Sequence, residues 1–285
     1  MTKRKFTPGE EWLYLKIYTG VKTSDIILEE AVQPLTECFY EHNYILEWFF
    51  IRYNDPKLHL RLRLRLNNTA ENYNKILEEI NYSLQPYIDS GEISDITIET
   101  YIREIERYGQ NTIEDAEKLF HQNSKFTLQC LHYDDEEKII TVFLYIDWLL
   151  DKLKLSIHEK LDWIKGFNDA FKKEFNADKS LNSQLDKKYR EFKPKFLDFL
   201  NSEDFSEERN AIIFNIEKCN SVLQNILKHD DDKSLEITLQ SFFQSIFHMN
   251  INRLFISNQR LFEMVIYDYL LRYYKTEVYK IHRAV

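Results

Sequence analysis

Residues 48–66, WFFIRYNDPKLHLRLRLRL, contain the pattern that decides the fold of this chain. Trp48–Tyr53 is rich in aromatic and β-branched residues, as strands are, and His59–Leu66 alternates strictly between a basic residue and leucine. The Asn-Asp-Pro-Lys segment between them has the chemistry of a turn. We therefore predict an antiparallel hairpin whose leucine face is buried under helices and whose basic face lines a polar groove. The arginines of that face are Arg61, Arg63 and Arg65.

The rest of the chain changes from mixed strands and helices to helices alone. Further strands are predicted over Trp12–Tyr18 and Asp95–Tyr101, and helices over Asp25–His42 and Thr69–Gln85, with Pro86 ending the second helix. Later helices are predicted over 113–132, 136–155, 157–175, 183–200, 207–229 and 234–280, the last broken near Ser257-Asn258. The fold class is thus α+β, with an antiparallel sheet packed with helices in the N-terminal part and a predominantly helical C-terminal part. We expect one domain over 1–285, strand-rich over 10–110 and helical over 112–280.

The composition excludes several functional classes. The chain has 285 residues, 44% of them hydrophobic, with only five Gly and five Pro, which excludes disordered and collagen-like proteins. The sequence contains no glycine-rich phosphate-binding motif, and the net charge of −9 argues against direct nucleic-acid binding. Three distant cysteines support neither a disulfide framework nor a metal site. The longest apolar stretch, Ile139–Leu150, is too short to span a membrane, and no secretory signal is visible, so we expect a cytoplasmic protein without a membrane partner.

The arginine strip, defined here as Arg61, Arg63 and Arg65, allows two interpretations. Strand geometry spaces these guanidiniums about 6–7 Å apart, where they repel each other unless anions lie beside them. In the first interpretation, neighbouring Asp and Glu on a solvated sheet face neutralise them. Alternatively, they bind a carboxylate-bearing substrate, since arginine holds a carboxylate through two parallel hydrogen bonds.

Two further clusters contain residues suited to chemistry. In ETYIREIERYG (99–109), Glu104 and Arg107 would face opposite sides of a continuing strand, whereas a bulge or a helical turn would bring them together. In HMNINR (248–253), His248 and Asn252 share one face of a predicted helix. A solvated charge run and a structural histidine are the competing explanations of these two clusters.

Taken in order, the motifs WLYLKIYTG, WFFIRYNDPKLHLRLRL, ETYIREIERYG and HMNINRL resemble one family. That family is the C-terminal elimination domain of class I lantibiotic dehydratases, also found as a standalone thiopeptide-type bacteriocin biosynthesis protein. The resemblance extends from about Glu11 to Tyr274. Two departures are visible: Gln110 follows Gly109 where the family commonly has a second glycine, and His121-Gln-Asn-Ser124 replaces a usual Asp-Ser pair.

The resemblance implies a lyase that needs neither a metal nor another cofactor. Its substrate would be a ribosomal precursor peptide whose Ser or Thr has been esterified with glutamate, and expulsion of that glutamate would leave dehydroalanine or dehydrobutyrine. The implied catalytic residues are Arg61, Arg63, Glu104, Arg107 and His248, and the implied substrate-binding residues are Arg52, Arg65, Asn252 and Arg253. We expect Asn252 to orient the His248 ring, and the ring to lie within roughly 10 Å of the Arg107 guanidinium, since an acid or base must reach the reacting proton.

The resemblance also implies partners and leaves alternatives. The sequence begins at the elimination domain itself, so we expect a separate protein that glutamylates the peptide with glutamyl-tRNA. A homodimer is compatible with the sequence. Some standalone relatives instead catalyse a [4+2] cycloaddition that forms the pyridine or piperidine of a thiopeptide, but those relatives are expected to have lost much of the charged set. A non-catalytic module that binds acidic leader residues on the arginine strip is the other alternative.

Overall fold

The computed structural model describes residues 2–284, and the predicted α+β class is confirmed. A four-stranded antiparallel sheet has the order β3-β4-β2-β5, and a two-stranded antiparallel sheet pairs β1 with β6. The strands are β1 (Lys5–Phe6), β2 (Trp12–Thr19), β3 (Ile45–Asn54), β4 (Leu58–Leu66), β5 (Ile93–Glu99) and β6 (Tyr101–Ile102).

The predicted hairpin is β3 and β4, and β4 lies in the interior of the sheet between β3 and β2. Leu60, Leu62, Leu64 and Leu66 are at most 3% exposed. They belong to a core that also contains Phe39 from the helix over Gln33–Glu41 and Ile80 from the helix over Thr69–Asp89. Burying each leucine stabilises the fold by about 1.5–3 kcal/mol, so the strict alternation fixes which face of β4 points inward.

The described contacts divide the chain into two compact units. The first unit runs up to His132 and also includes Gln224–Ser257, and it contains both sheets. Its helices are α1 (Thr23–Ile27), a π-helical segment (Leu28–Val32), α2 (Gln33–Glu41), α3 (Thr69–Asp89), α4 (Ile105–Tyr108), α5 (Ile113–Gln129) and α11 (Leu239–Leu254).

The second unit comprises Tyr133–Leu223 and the residues from Asn258 onward, and its regular structure is helical. Its helices are α6 (Asp135–Lys152), α7 (Ile157–Glu174), α8 (Lys179–Asn201), a 3₁₀ turn (Glu203–Phe205), α9 (Ser206–Glu217) and α12 (Gln259–Ala284), while α10 (Asn220–Asp231) begins in this unit and ends in the first. Within residues 2–284, no helix combines the length and apolarity needed to cross a membrane. That 1–285 forms one functional domain stays a prediction.

Three predicted boundaries were wrong for local reasons. Helix α3 continues through Pro86 to Asp89, because a proline in the last turn removes only one intrahelical hydrogen bond. The predicted helix 207–229 is two helices, α9 and α10, separated where the Cys219 amide donates to the Ile216 carbonyl three residues back. The predicted strand 95–101 begins at Ile93 and is interrupted after Glu99.

Candidate functional site

The three arginines of the strip lie on one face of β4, but each has different cross-strand neighbours. Arg63 is paired directly with Tyr14 on β2 and with Phe49 on β3. Its side chain is buried, with the guanidinium carbon 4.5 Å from the centroid of Tyr14, 5.3 Å from that of Phe49 and 4.9 Å from that of Tyr101. Among residues 2–284 no carboxylate forms an ion pair with it, and its Nε has no hydrogen-bond acceptor. Arg63 therefore keeps its charge without an internal counter-ion.

Arg61 and Arg65 have polar partners. The Nε of Arg61 donates to His59 Nε2 at 3.1 Å, and its guanidinium carbon lies 3.4 Å from the centroid of Tyr53. Burial lowers the pKa of His59, which is consistent with a neutral ring that accepts this bond. Arg65 lies 3.7 Å from a carboxylate oxygen of Glu47, its cross-strand neighbour. Neutralisation by a neighbouring acid, one of our two interpretations, thus applies to Arg65.

Arg63 lines a small cleft of about 50 Å³. The cleft brings together side chains from both strands of the hairpin, the segment after β5, α5 and α11. Its lining residues are Phe49, Ile51, Arg63, Tyr101, Ile102, Glu104, Tyr108, Ile113, Phe120 and Met249. Arg63 and Glu104 are the charged members of this lining, so the cleft presents one fixed cation and one carboxylate to a molecule at its mouth.

Glu104 and Arg107 meet through one helical turn, as one of the two predicted geometries required. Helix α4 consists of that turn, Glu104 precedes it as the N-cap residue, and the Glu104 carboxylate lies 3.4 Å from Arg107 Nε. Both side chains are more than half exposed, at 61% and 54%. Gly109 ends the turn with φ = +73°, and a Cβ there would lie 2.8 Å from Thr112 Oγ1. This glycine is therefore needed to direct the chain from α4 into α5.

A buried ion pair that the sequence analysis missed lies beneath the cleft. Arg103, 1% exposed, donates to both carboxylate oxygens of Glu117, at 2.8 and 2.6 Å. The Tyr101 hydroxyl donates to the same carboxylate at 2.7 Å. The only signal in the sequence was that Tyr101 and Arg103 are two residues apart, which places them on one side of an extended segment. Their partner is contributed by α5, which no local pattern reveals.

Helix α11 is joined to the outer edge of β3 by the predicted binding residues. The Asn252 amide accepts from the Arg52 backbone N–H and donates to its carbonyl, both at 2.9 Å. Arg253 Nε donates to the Phe50 carbonyl at 2.8 Å, and Arg52 Nε donates to the Arg253 carbonyl at 2.8 Å. Both ends of the Asn252 amide thus bind the strand, and the expectation that Asn252 orients His248 stays a prediction. These bonds show that Arg52, Asn252 and Arg253 hold α11 against β3. That the same three residues bind substrate stays a prediction.

The remaining nitrogens of Arg52 also bind inside the protein. Nη1 donates to Ser24 Oγ at 2.9 Å, and Nη2 pairs with Asp25 at 2.6 Å. The side chain is 1% exposed. All three guanidinium nitrogens of Arg52 are therefore used in holding β3 to α1 and α11.

Helix α5 covers the next part of the β3 edge. His121 Nδ1 contacts the Trp48 backbone N–H at 3.2 Å, and Ser124 Oγ accepts from the Phe50 N–H at 3.2 Å. The other His121 nitrogen lies 2.9 Å from the Tyr40 hydroxyl. Burial lowers the pKa of His121 to about 4, so the ring is neutral at physiological pH. The residues that depart from the family's Asp-Ser pair thus bind backbone.

His248 lies on α11 with its side chain partly exposed, one residue before Met249 of the cleft lining. Helix α11 packs against α4, which carries Arg107. The predicted separation of about 10 Å between the His248 ring and the Arg107 guanidinium stays a prediction. In the described part of the chain, no group of three or more His, Cys, Asp or Glu side chains is arranged to hold a metal ion.

Comparison with known proteins places this chain in a family. Residues 12–274 match the model described as lantibiotic biosynthesis dehydratase C-term. The chain is 28% identical over 284 residues to the nisin biosynthesis protein NisB of Lactococcus lactis subsp. lactis, covering 97% of this chain and 27% of NisB. It is 27% identical over 189 residues to the subtilin biosynthesis protein SpaB of Bacillus subtilis, covering 62% of this chain and 18% of SpaB. The chain thus spans about a quarter or less of the length of these curated relatives.

Solved structures show a similar fold. The tRNA-dependent lantibiotic dehydratase MibB from Microbispora sp. 107891 superposes with a TM-score of 0.70 at 19% identity, over 98% of this chain and 29% of MibB. The pyridine synthase TbtD from thiomuracin biosynthesis superposes with a TM-score of 0.64 at 11% identity, over 94% of this chain and 100% of TbtD. From the match over residues 12–274, the chain belongs to the lantibiotic biosynthesis dehydratase C-terminal family.

Proposed function

We propose that this chain is a carbon–oxygen lyase that eliminates glutamate from glutamylated Ser and Thr residues of a ribosomal precursor peptide. The observation that carries the proposal is the cleft, whose lining contains Arg63, a cation without an ion pair among residues 2–284, and the carboxylate of Glu104. A glutamyl ester made from glutamyl-tRNA has a free γ-carboxylate and a free α-ammonium. A fixed guanidinium and a carboxylate at one cleft are complementary to those two groups.

The reaction requires a base and stabilisation of negative charge. A base removes the Cα proton of the esterified residue, the electron pair forms the Cα=Cβ bond, and the Cβ–O bond breaks to release glutamate as a carboxylate. The peptide Cα–H is a very weak acid, so cations near the developing enolate or the departing carboxylate lower the barrier. Arg63 and Arg107 supply those cations, with Arg61 as a third candidate on the same strand.

We assign removal of the Cα proton to His248. Histidine is the side chain that most often transfers protons in enzymes. Its neighbour Met249 lines the cleft, which supports a location close to the reacting atoms. Glu104 then binds the substrate ammonium or orients Arg107, its partner at 3.4 Å.

The partners belong to the same proposal. The substrate is a precursor peptide, and the ester is installed by a separate protein that uses glutamyl-tRNA. The fold alone does not separate this activity from cycloaddition, because TbtD, a pyridine synthase, superposes over 94% of this chain and MibB over 98%. The presence of Glu104, Arg107 and His248 favours elimination.

Mass spectrometry of a defined substrate tests the proposal. A synthetic peptide with one glutamyl-serine ester should lose glutamic acid and become the dehydroalanine peptide when incubated with the protein. A heat-denatured sample controls for spontaneous elimination. A peptide that keeps its ester, or that loses it by hydrolysis to serine, contradicts the proposal. Conversion of a peptide with two dehydroalanines into a six-membered heterocycle would support cycloaddition instead.

A further inference from the structure

The aromatic residues around Arg63 form a cage. Its three members come from β2, β3 and β6, and their centroids lie 4.5–5.3 Å from the guanidinium carbon. These members are Tyr14, Phe49 and Tyr101. Each ring presents the partial negative charge of its face to the cation, and such contacts are stronger where water is excluded. Arg63 is 8% exposed, so the contacts are largely shielded from water.

The cage excludes acidic side chains from Arg63. The residues directly opposite it on both neighbouring strands are aromatic, whereas Arg65, two residues further along β4, faces Glu47. An aromatic ring stabilises a guanidinium without neutralising its net charge. Arginine stays protonated in proteins, so the charge of Arg63 remains available to an incoming anion.

The cage is also fixed in position. Tyr101 donates to Glu117, which is held by both donors of Arg103, and its ring packs edge-on against Trp12 at a centroid distance of 5.3 Å. Tyr14 contacts the same ring edge-on at 6.5 Å. A guanidinium between such rings has few orientations available to it.

Burial of Arg63 has a cost that folding alone does not explain. Its Nε is buried without an acceptor in the described chain, and an unsatisfied buried donor destabilises a protein. A leucine or methionine at this position would fill the same space without that cost. An anion at the mouth of the cleft offsets the cost, because it provides acceptors and opposite charge.

We infer that Tyr14, Phe49 and Tyr101 are positioning residues that hold Arg63 charged, unpaired and oriented for the carboxylate of the substrate. The inference rests on the proposed function, since it names how one residue of that site is prepared. It predicts that the rings act through Arg63 and that the face of the ring matters more than the hydroxyl group.

Substitutions at Tyr14 separate positioning from general packing. Tyr14→Leu should lower kcat by about tenfold with a smaller change in KM, because loss of one desolvated cation–π contact weakens the orientation of Arg63. Tyr14→Phe keeps the ring face and should retain at least about half of the parent rate. Tyr18→Leu is the matched control, since Tyr18 is on the same face of β2 but pairs with His59. It should change kcat less than about twofold.

A double-mutant cycle supplies the decisive comparison. In an Arg63→Lys background, which retains a cation but not the planar guanidinium, Tyr14→Leu should lower kcat by less than about threefold, since residues that act through one another are not additive. An equal, tenfold loss in both backgrounds would overturn the inference, as would an equal loss in Tyr18→Leu. Circular dichroism and thermal melts establish folding of each variant. Should Tyr14→Leu not fold, Phe49→Leu makes the same comparison from the opposite strand.

Binding distinguishes failure of this inference from failure of the proposed function. A peptide with a glutamyl amide in place of the ester cannot eliminate, so its affinity measured by calorimetry does not depend on turnover. We expect binding by Tyr14→Leu to be about threefold weaker, in line with the smaller change in KM, and binding by Tyr14→Phe to be unchanged. Parent protein that binds the amide but does not convert the ester would contradict the proposed function alone. Unchanged affinity in Tyr14→Leu would contradict the cage.

Discussion

The outer edge of β3 and the arginine face of β4 both hold buried arginines, yet they use them differently. At the β3 edge, Arg52 directs all three guanidinium nitrogens to partners inside the protein. On β4, Arg63 contacts three aromatic rings and has no ion pair among residues 2–284. Burial alone therefore does not reveal what an arginine does. The identity of its neighbours, acceptors in one case and rings in the other, separates a structural cation from one available to a ligand.

The largest effect should come from breaking the β3 edge. Arg52→Ala removes one partner of a buried pair with Asp25 and leaves two further acceptors unsatisfied. We expect a loss of about 3–5 kcal/mol in the free energy of unfolding, measured by urea denaturation. Arg190→Ala, which breaks a surface pair with Asp186, is the control and should cost less than about 1 kcal/mol. Similar losses in the two variants would show that the edge contacts contribute little.

Substitutions beside the cleft should have the opposite effect, a loss of reaction rate without a loss of stability. Glu104→Ala and Arg107→Ala should leave the unfolding free energy nearly unchanged, because both side chains are more than half exposed. Elimination should slow by on the order of 10²–10³, the typical loss when a charge that stabilises a transition state is removed. Glu106→Ala, one helical position away and paired with Arg4, is the matched control and should retain the parent rate. Parent rates in both site variants would make these residues structural.

The β3 edge should also respond to pH through His121. The folded pKa of about 4 lies below the value of about 6.5 for an unperturbed ring, so between these values the unfolded chain binds a proton that the folded chain does not. Stability from this group is complete above about pH 6.5 and is lost as pH falls towards 4, by up to about 3 kcal/mol. Comparing the unfolding free energy at pH 7 and pH 4.5 in the parent and in His121→Gln tests this. An identical pH slope in both proteins would contradict it.

The smallest predicted effect concerns Arg65, and it compares two arginines of the same strip. Arg65 already faces Glu47, whereas Arg63 has only its rings. We therefore expect Arg65→Ala to slow elimination by less than about tenfold, well below the effect of Arg63→Ala. Single-turnover rates of the two variants provide the measurement. Equal losses would mean that an internal acid does not reduce the contribution of an arginine to this site.

The sequence predicted what depends on local pattern. The alternation in β4 correctly assigned the buried leucines, whereas for Glu104 and Arg107 the sequence left a continuing strand and a turn open, and the structure has the turn. The sequence did not distinguish the environments of the three arginines of the strip. Their neighbours lie on other strands, and the register of those strands is set by tertiary packing. The pairing of Asn252 with Arg52, separated by 200 residues, was likewise not visible.

The covering of β3 by side chains has a consequence for the behaviour of the protein in concentrated solution. A bare sheet edge is a template on which a second molecule can add a strand, and an aromatic, apolar edge is the most prone to do so. Here the backbone groups of Trp48, Phe50 and Arg52 are bound by α5 and α11. These two helices therefore cover the edge strand of the sheet. Ser124 and Asn252 thus occupy backbone groups that a strand from a second molecule would need for pairing.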